Sequence, residues 1–261
     1  MTKLKFLILP LIACSGAAFA QDVSATPPVN SATEIEIATG ADYSIGDYGA
    51  PDDTTVWSVP LDLKITSGGF RASAGMSWVR IKGPGQIVGG VIVSAPGGVV
   101  TSRSGLGDLN LSAAYALTKD EGATPMIELG GSVKVPTAKA TIGTGEMDYS
   151  LTASVYKTVV PKVMLFGSLG YSWLGSPAAY QLEHGVAASG GLNFRPDDNQ
   201  NYGVSAAWRE PVAVGLDGQA VVSPYMTYRV SPRFGLTLYG MAGLNDASPR
   251  VGGGLRLSVF P

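Results

Sequence analysis

Between Met147 and Trp173 the chain alternates residue by residue through two long runs. Tyr149, Leu151, Ala153 and Val155 are apolar, while Asp148, Ser150, Thr152, Ser154 and Thr158 are polar or small. A period of two is the signature of a β-strand with two unlike faces. After a tight break at Val159-Val160-Pro161-Lys162, one face carries Val163, Leu165, Gly167, Leu169, Tyr171 and Trp173. The other carries Met164, Phe166, Ser168, Gly170 and Ser172. Each run lasts roughly 10–12 residues, long for a globular strand but right for one crossing a bilayer at a tilt. The pair predicts one hairpin of a transmembrane barrel.

Beyond the first twenty residues, no stretch approaches the roughly 18 consecutive apolar residues that a membrane helix needs. A chain without such a helix can span hydrocarbon only as a closed sheet, because every backbone polar group must find a partner within the protein. The N-terminus reads as an export signal over residues 1–20, with Lys3 and Lys5 ahead of an apolar run Phe6 to Ala13 and a small-x-small site at Ala18-Phe19-Ala20. A competing reading takes Leu11-Ile12-Ala13-Cys14 as a lipoprotein processing site. Cys14 is the single cysteine, so cleavage after Ala20 leaves no thiol for disulfides or thiolate metal sites. Residues 21–32, with Pro27-Pro28, form a polar leader expected in the periplasm, and residues 33–261 form the barrel.

The same alternation recurs along the chain. Strands are expected at 33–43, 57–66, 70–78, 108–117, 126–135, 148–158, 163–173, 186–195, 202–208, 222–230, 234–242 and 251–260. The fold class is therefore all-β, an antiparallel up-and-down transmembrane barrel of about twelve strands. An even number returns both ends to one side, and the connections alternate between short turns and longer loops, as bacterial barrels require. Parity is lost near Val79-Arg80-Ile81. The segment Lys82 to Ser104 is the largest loop, and its Val88 to Val93 run is expected to extend strands three and four beyond the membrane.

Aromatic height gives an independent check. Lipid-facing aromatics gather near the two interfaces of a membrane barrel. On the apolar parity, Tyr43, Trp57, Trp78, Tyr149, Tyr171, Trp173 and Trp208 fall near the outer ends of the strands. Phe70, Tyr115, Phe194, Tyr202, Tyr228 and Phe234 fall near the inner ends. A soluble β-sandwich has no reason to sort its aromatics by height. Phe260 is out of line, sharing the parity of Arg256 and Ser258, which leaves a bulge in the last strand or an atypical end signal.

The inward set is rich in charge. Glu36, Asp62, Glu128 and Arg256 fall nearest mid-height and are expected to line a polar constriction, while Glu36 and Arg256, on the strands that close the barrel, are alternatively an ion pair across the seam. Inward Tyr225 and Tyr239, with Tyr156, Phe166, Met126, Met164 and Met241, offer an apolar path or simply fill space. A barrel of this size favours a narrow or plugged lumen over an open porin channel.

Two stretches carry a family resemblance: Gly105-Leu106-Gly107-Asp108 opening a strand, and Lys134-Val135-Pro136-Thr137 closing the next, followed by Gly143-Thr144-Gly145 and Asp148-Tyr149-Ser150-Leu151. From about Gly105 to the C-terminus the sequence resembles the outer-membrane transporters labelled after the MetA pathway of phenol degradation. The resemblance implies a barrel in the cell outer membrane that passes small molecules, aromatic or apolar ones included, and it brings no site residues.

Rival classes are a lipid hydrolase and an adhesive barrel. His184 is the only histidine, lies at the margin of a loop and cannot be paired with a serine from sequence, so no catalytic residue is assigned and the chain is read as a non-enzyme. The loop Lys82 to Ser104 is the best evidence for adhesion. No metal-ligand cluster, phosphate cradle or dinucleotide fingerprint is present, so no cofactor is expected. Lys plus Arg total 18 against 20 for Asp plus Glu, which gives no electrostatic footprint for nucleic acid. Expected partners are outer-membrane lipid, a small-molecule solute and the barrel-assembly machinery; oligomeric state stays open.

Overall fold

The computed structural model of the protein describes residues 33–94, 98–178 and 181–261. The expected signal peptide and leader lie outside the described residues. The alternating runs form β1 (Glu34–Gly46), β2 (Thr54–Ser67), β3 (Phe70–Gly83), β4 (Gln86–Val88), β5 (Val91–Val93), β6 (Thr101–Leu106), β7 (Leu109–Ala116) and β8 (Met126–Val135). They continue with β9 (Asp148–Val160), β10 (Val163–Trp173), β11 (Gly185–Phe194), β12 (Gln200–Arg209), β13 (Gln219–Ser231), β14 (Phe234–Gly243) and β15 (Val251–Val259).

β6 and β7 are two halves of one wall strand. Both pair with β3, from Gly83↔Thr101 to Trp78↔Leu106 and then from Gly75↔Asn110 to Phe70↔Tyr115. Counted so, the wall is a closed antiparallel barrel of twelve strands, with β4 and β5 a separate hairpin. β1 makes the closure, pairing with β2 on one side and with β15 on the other, from Ile37↔Val259 to Ile45↔Val251. Closure leaves no sheet edge, which is the condition for a sheet to cross hydrocarbon.

The faces are inverted relative to a water-soluble protein. Ile37, Leu61, Leu129, Leu151, Leu169 and Leu257 are exposed on the outside, whereas Glu36, Asp62, Lys64, Glu128 and Arg256 are buried inside. An apolar exterior of this extent is a surface for lipid.

At the loop end, β1, β2 and β3 run on past the apolar band. The alternation does not break at Val79-Arg80-Ile81: Val79 and Ile81 point inward and are fully buried, and Arg80 and Lys82 are exposed on the outside. Outward charges mark a strand that has left the hydrocarbon, so its two faces exchange polarity while its period stays at two.

The expectation for Val88 to Val93 is corrected. β3 and β6 extend the wall themselves, and the valine-rich run folds back on itself as the β4–β5 hairpin, with Gln86↔Val93, Ile87↔Ile92 and Val88↔Val91 paired. Gly89 and Gly90 turn it at φ 55° and 80°. Two successive positive φ values match the twist of a two-residue hairpin, and only glycine takes both without strain.

The last strand keeps its register against both neighbours, so Phe260 is not displaced by a bulge. Its ring turns inward, is buried beside Ala38, and lies 3.5 Å beneath the Arg229 guanidinium. The cation covers the ring face inside the lumen.

The seam is fastened by Asp42 and Arg256. Arg256 donates from both terminal nitrogens to Asp42, at 2.7 and 3.0 Å, and is almost fully buried. Ser58 Oγ and Tyr239 Oη donate to the same carboxylate at 2.9 and 2.7 Å. Arg256→Met alone is expected to destabilise the folded barrel by about 3–5 kcal/mol, because it leaves a buried carboxylate without its cation. Denaturant unfolding in lipid vesicles measures this, and pairing the change with Asp42→Asn should recover most of the loss.

Candidate functional site

The lumen has two unlike walls. On β15, β1 and β2 the inward side chains are large, charged and paired. Glu36 bonds Lys64 at 2.6 Å, Asp42 holds Arg256, and Asp62 is buried between the two pairs. Glu128 lies apart from this group, on β8, where it pairs with Arg71 of β3 near the turn end of the barrel. Of the four residues expected at mid-height, Glu36, Asp62 and Arg256 therefore share one wall and Glu128 stands away from them. The seam partner of Arg256 is Asp42: register sets Arg256 opposite Gly40, and Glu36 opposite Lys64.

From β3 through β11 the inward side chains between the Arg71–Glu128 and Lys134–Asp148 pairs include rows that are small and hydroxylic. One in-register row runs Ser73↔Ser112↔Ser132↔Ser150↔Ser172, and a second runs Ser154↔Ser168↔Ser189. Hydroxyls bond along the rows, Ser73 to Ser112 at 2.6 Å, Ser150 to Ser172 at 2.8 Å and Ser168 to Ser189 at 2.6 Å. Gly130, Thr152, Gly170 and Ala187 lie between the rows. These positions keep partial access, and Ser112 is exposed although it faces inward. The free part of the lumen thus lies against this wall. Because the strands tilt, the longer row climbs from the turn end of β3 to the loop end of β10, a slanted polar track.

Tyr225 and Tyr239 face each other in register across β13 and β14. Tyr225 lies across Gly203 and donates to Asn193 Oδ1 at 3.1 Å; Tyr239 lies across Gly254 towards Asp42. A Cβ at either glycine would strike the ring, so the glycines allow the aromatics to lie flat along the wall. Met126, Tyr156 and Met164, with Phe166, form a separate apolar cluster towards the turn end.

The β4–β5 hairpin crosses the loop end of the lumen as a bar. On one side Ile87 and Ile92 pack with Tyr48, Val56 and Ile81, all from the β1–β3 sector. On the other, Val88 and Val91 pack with Val212, Val221, Tyr239 and Met241, and with Leu174 and Leu182. Gln219 Nε2 donates to the Ile92 carbonyl and Arg209 to the Gly89 carbonyl, at 2.7 and 2.8 Å. Beside the hairpin, above the hydroxyl track, an opening is bordered by Gln86, Ile87 and the 140–144 stretch.

The residues that carry the family resemblance meet at that opening. Asp108 accepts from the Ala138 amide at 2.9 Å and approaches Lys134 at 3.7 Å. Lys134 also bonds Asp148 at 2.7 Å and Thr144 Oγ1 at 3.1 Å. Thr137 Oγ1 accepts from the Leu109 amide, and Gly143 has no room for a Cβ, which would stand 2.8 Å from Asp108. Together they clamp the 136–147 loop to the wall. Above the clamp is a cavity of about 380 Å³, lined by Gln86, Ile87, Arg103, Ala140, Thr141, Ile142, Gly143, Thr144 and Pro177. Arg103 stands above the apolar band, and burial pulls its pKa below the ordinary guanidinium value. Sequence reasoning found the motifs but not their meeting place, since two loops and a strand junction bring them together.

The outward aromatics lie at two heights. Near the loop end Tyr43 pairs with Trp57, ring centroids 4.8 Å apart, Tyr149 pairs with Trp173, and Tyr171 lies 4.8 Å from Trp173. Trp78 and Trp208 are exposed at similar positions on β3 and β12. Near the turn end Phe70 pairs with Tyr115 and Phe194 with Tyr202, and Tyr228 and Phe234 are exposed. His184 accepts from the Leu174 amide at 3.1 Å, and among the described residues no serine hydroxyl bonds to it.

Residues 46–259 match the family described as the MetA-pathway of phenol degradation. Among solved structures, the COG4313 outer membrane channel from Pseudomonas putida F1 is 13% identical, with a TM-score of 0.67 over 92% of this chain and 99% of that one. The NanC porin is 8% identical, with a TM-score of 0.56 over 86% and 99% of the two chains, and the KdgM porin 8% identical, with 0.55 over 86% and 98%. No curated protein matches in sequence.

The clamp predicts a local effect of Lys134→Met. The two aspartates lose their shared cation, the 136–147 loop detaches, and trypsin should cut after Lys139 at least severalfold faster than in the unaltered protein. The barrel itself should keep its heat-modifiable migration on gels.

Proposed function

The chain belongs to the family described as the MetA-pathway of phenol degradation, and from that premise we propose that it is an outer-membrane channel for small molecules. The observation that carries this reading is the slanted hydroxyl track, whose side chains keep partial access inside the barrel. A packed structural barrel has no need to place small side chains along one continuous strip of wall between its ion pairs. The track suits small solutes that can exchange hydrogen bonds with serine hydroxyls, and the partly exposed rings of Tyr225 and Phe166 add contact for planar ones. Aromatic solutes with polar substituents fit both features.

In this reading Glu36, Asp62 and Arg256 narrow the lumen from one side, Glu128 narrows it lower down, and the outward aromatics mark the two lipid interfaces. Export of the chain through a cleaved signal peptide and folding by the barrel-assembly machinery belong to the same proposal. The channel reading is favoured over adhesion because the hairpin of the long loop is turned into the mouth, where Val88, Val91 and Ile92 are buried. It is favoured over lipid hydrolysis because His184 accepts from the Leu174 backbone amide and, among the described residues, no serine hydroxyl bonds to it.

Planar-bilayer recordings of the refolded mature protein test this. We expect small steady conductance, raised severalfold when residues 86–93 are replaced by a short Gly-Ser linker, and reduced by Ser112→Phe, which obstructs the track. Silence from a correctly folded barrel, with or without the hairpin, would sink the channel reading.

A further inference from the structure

We propose that the cavity between the hairpin, β6 and the 136–147 loop captures a small organic anion, with Arg103 receiving the carboxylate and Ile87, Ile142 and Pro177 holding an apolar body. A volume of about 380 Å³ is in the range of small-molecule sites and accommodates a single-ring acid. The lining is mixed in the way such sites are: four apolar side chains, the Gln86 amide, the Thr141 and Thr144 hydroxyls, and one cation.

The cavity holds a cation that no carboxylate among the described residues occupies. Lys64, Arg71, Lys134, Lys157, Arg250 and Arg256 each have a carboxylate partner. Arg103 has none among the described residues; it donates to Thr101 Oγ1 at 2.6 Å and to the Gly85 carbonyl. A guanidinium has five N–H donors, so several are left for a ligand, in the fork that matches a planar carboxylate. The nearest acid of the clamp, Asp108, is already engaged by Lys134 and the Ala138 amide.

The site is also held in shape before any ligand arrives. Ile142 is buried, its amide and that of Gly143 both donate to the Lys139 carbonyl, and the clamp fixes the loop from below. Arg103 ties β6 to the base of the hairpin through Gly85. A preformed site loses less freedom on binding. The inference rests on the channel reading only for the step after capture, delivery of the solute to the hydroxyl track in the same sector; binding itself stands apart from conductance.

The test is calorimetric titration of the refolded mature protein with benzoate and with benzyl alcohol, which share a ring and differ in charge. Benzoate should bind about tenfold or more tightly than the alcohol, the margin of one charge-assisted contact. Arg103→Gln should remove that margin and leave alcohol binding unchanged, and Arg103→Lys should restore part of it. Ala140→Trp narrows the cavity without touching Arg103 and should weaken both probes. Equal affinity for the two probes, no binding of either, or benzoate binding indifferent to Arg103→Gln or to Ala140→Trp would overturn the proposal. Preference for benzoate in a barrel that does not conduct would sink the channel reading and leave the capture site; conductance without binding would do the reverse.

Discussion

Everything in this molecule depends on the pairing of its first and last strands. In hydrocarbon an unpaired sheet edge costs several kcal/mol for each exposed N–H or C=O. The ladder from Ile37↔Val259 to Ile45↔Val251 therefore sets the number of strands, their tilt and their stagger at once. The stagger decides which inward side chains meet. It places Asp42 rather than Glu36 within reach of Arg256, and it turns what would be level rings of serine into rows that climb the wall. The charged side chains then concentrate beside the seam, and the small ones lie across from it.

The mouth is set by the same frame. β1, β2 and β3 outlast the apolar band, and above it their inward positions change from polar to apolar: Val56, Val79 and Ile81. An apolar surface facing an aqueous vestibule has to be covered, and the hairpin covers it with Ile87 and Ile92. Its other face finds Val221, Tyr239 and Met241 on β13 and β14, beyond the seam. The bar is thus a consequence of strand length as much as of loop sequence.

Much of the wall is legible from period two alone. Strand number, strand direction, the inside and outside of each strand, and the two heights of the aromatics all come from the alternation of residues such as Leu151 and Thr152. Three features are not legible in that way. The parity at Val79 and Ile81 looks broken because the environment changes while the geometry does not. The Val88 to Val93 run is apolar on both faces, which fits an extended wall strand and a hairpin buried on two sides equally well; Gly89-Gly90 is the signal that separates them. Partners on neighbouring strands, Asp42 with Arg256 or Asp108 with Lys134, depend on stagger, and stagger is not written in the period of any single strand.

The hairpin has a mechanical consequence as well. A thin-walled cylinder ovalises easily, because bending its wall only redistributes strand twist. Here a short beam crosses the rim, hydrogen-bonded to β12 and β13 through the Gly89 and Ile92 carbonyls and packed by apolar contact against the β1–β3 sector. A strut fixes the distance between the walls it joins. Lateral pressure from the bilayer is then borne at the rim by the beam on one side and by the clamped 136–147 loop on the other.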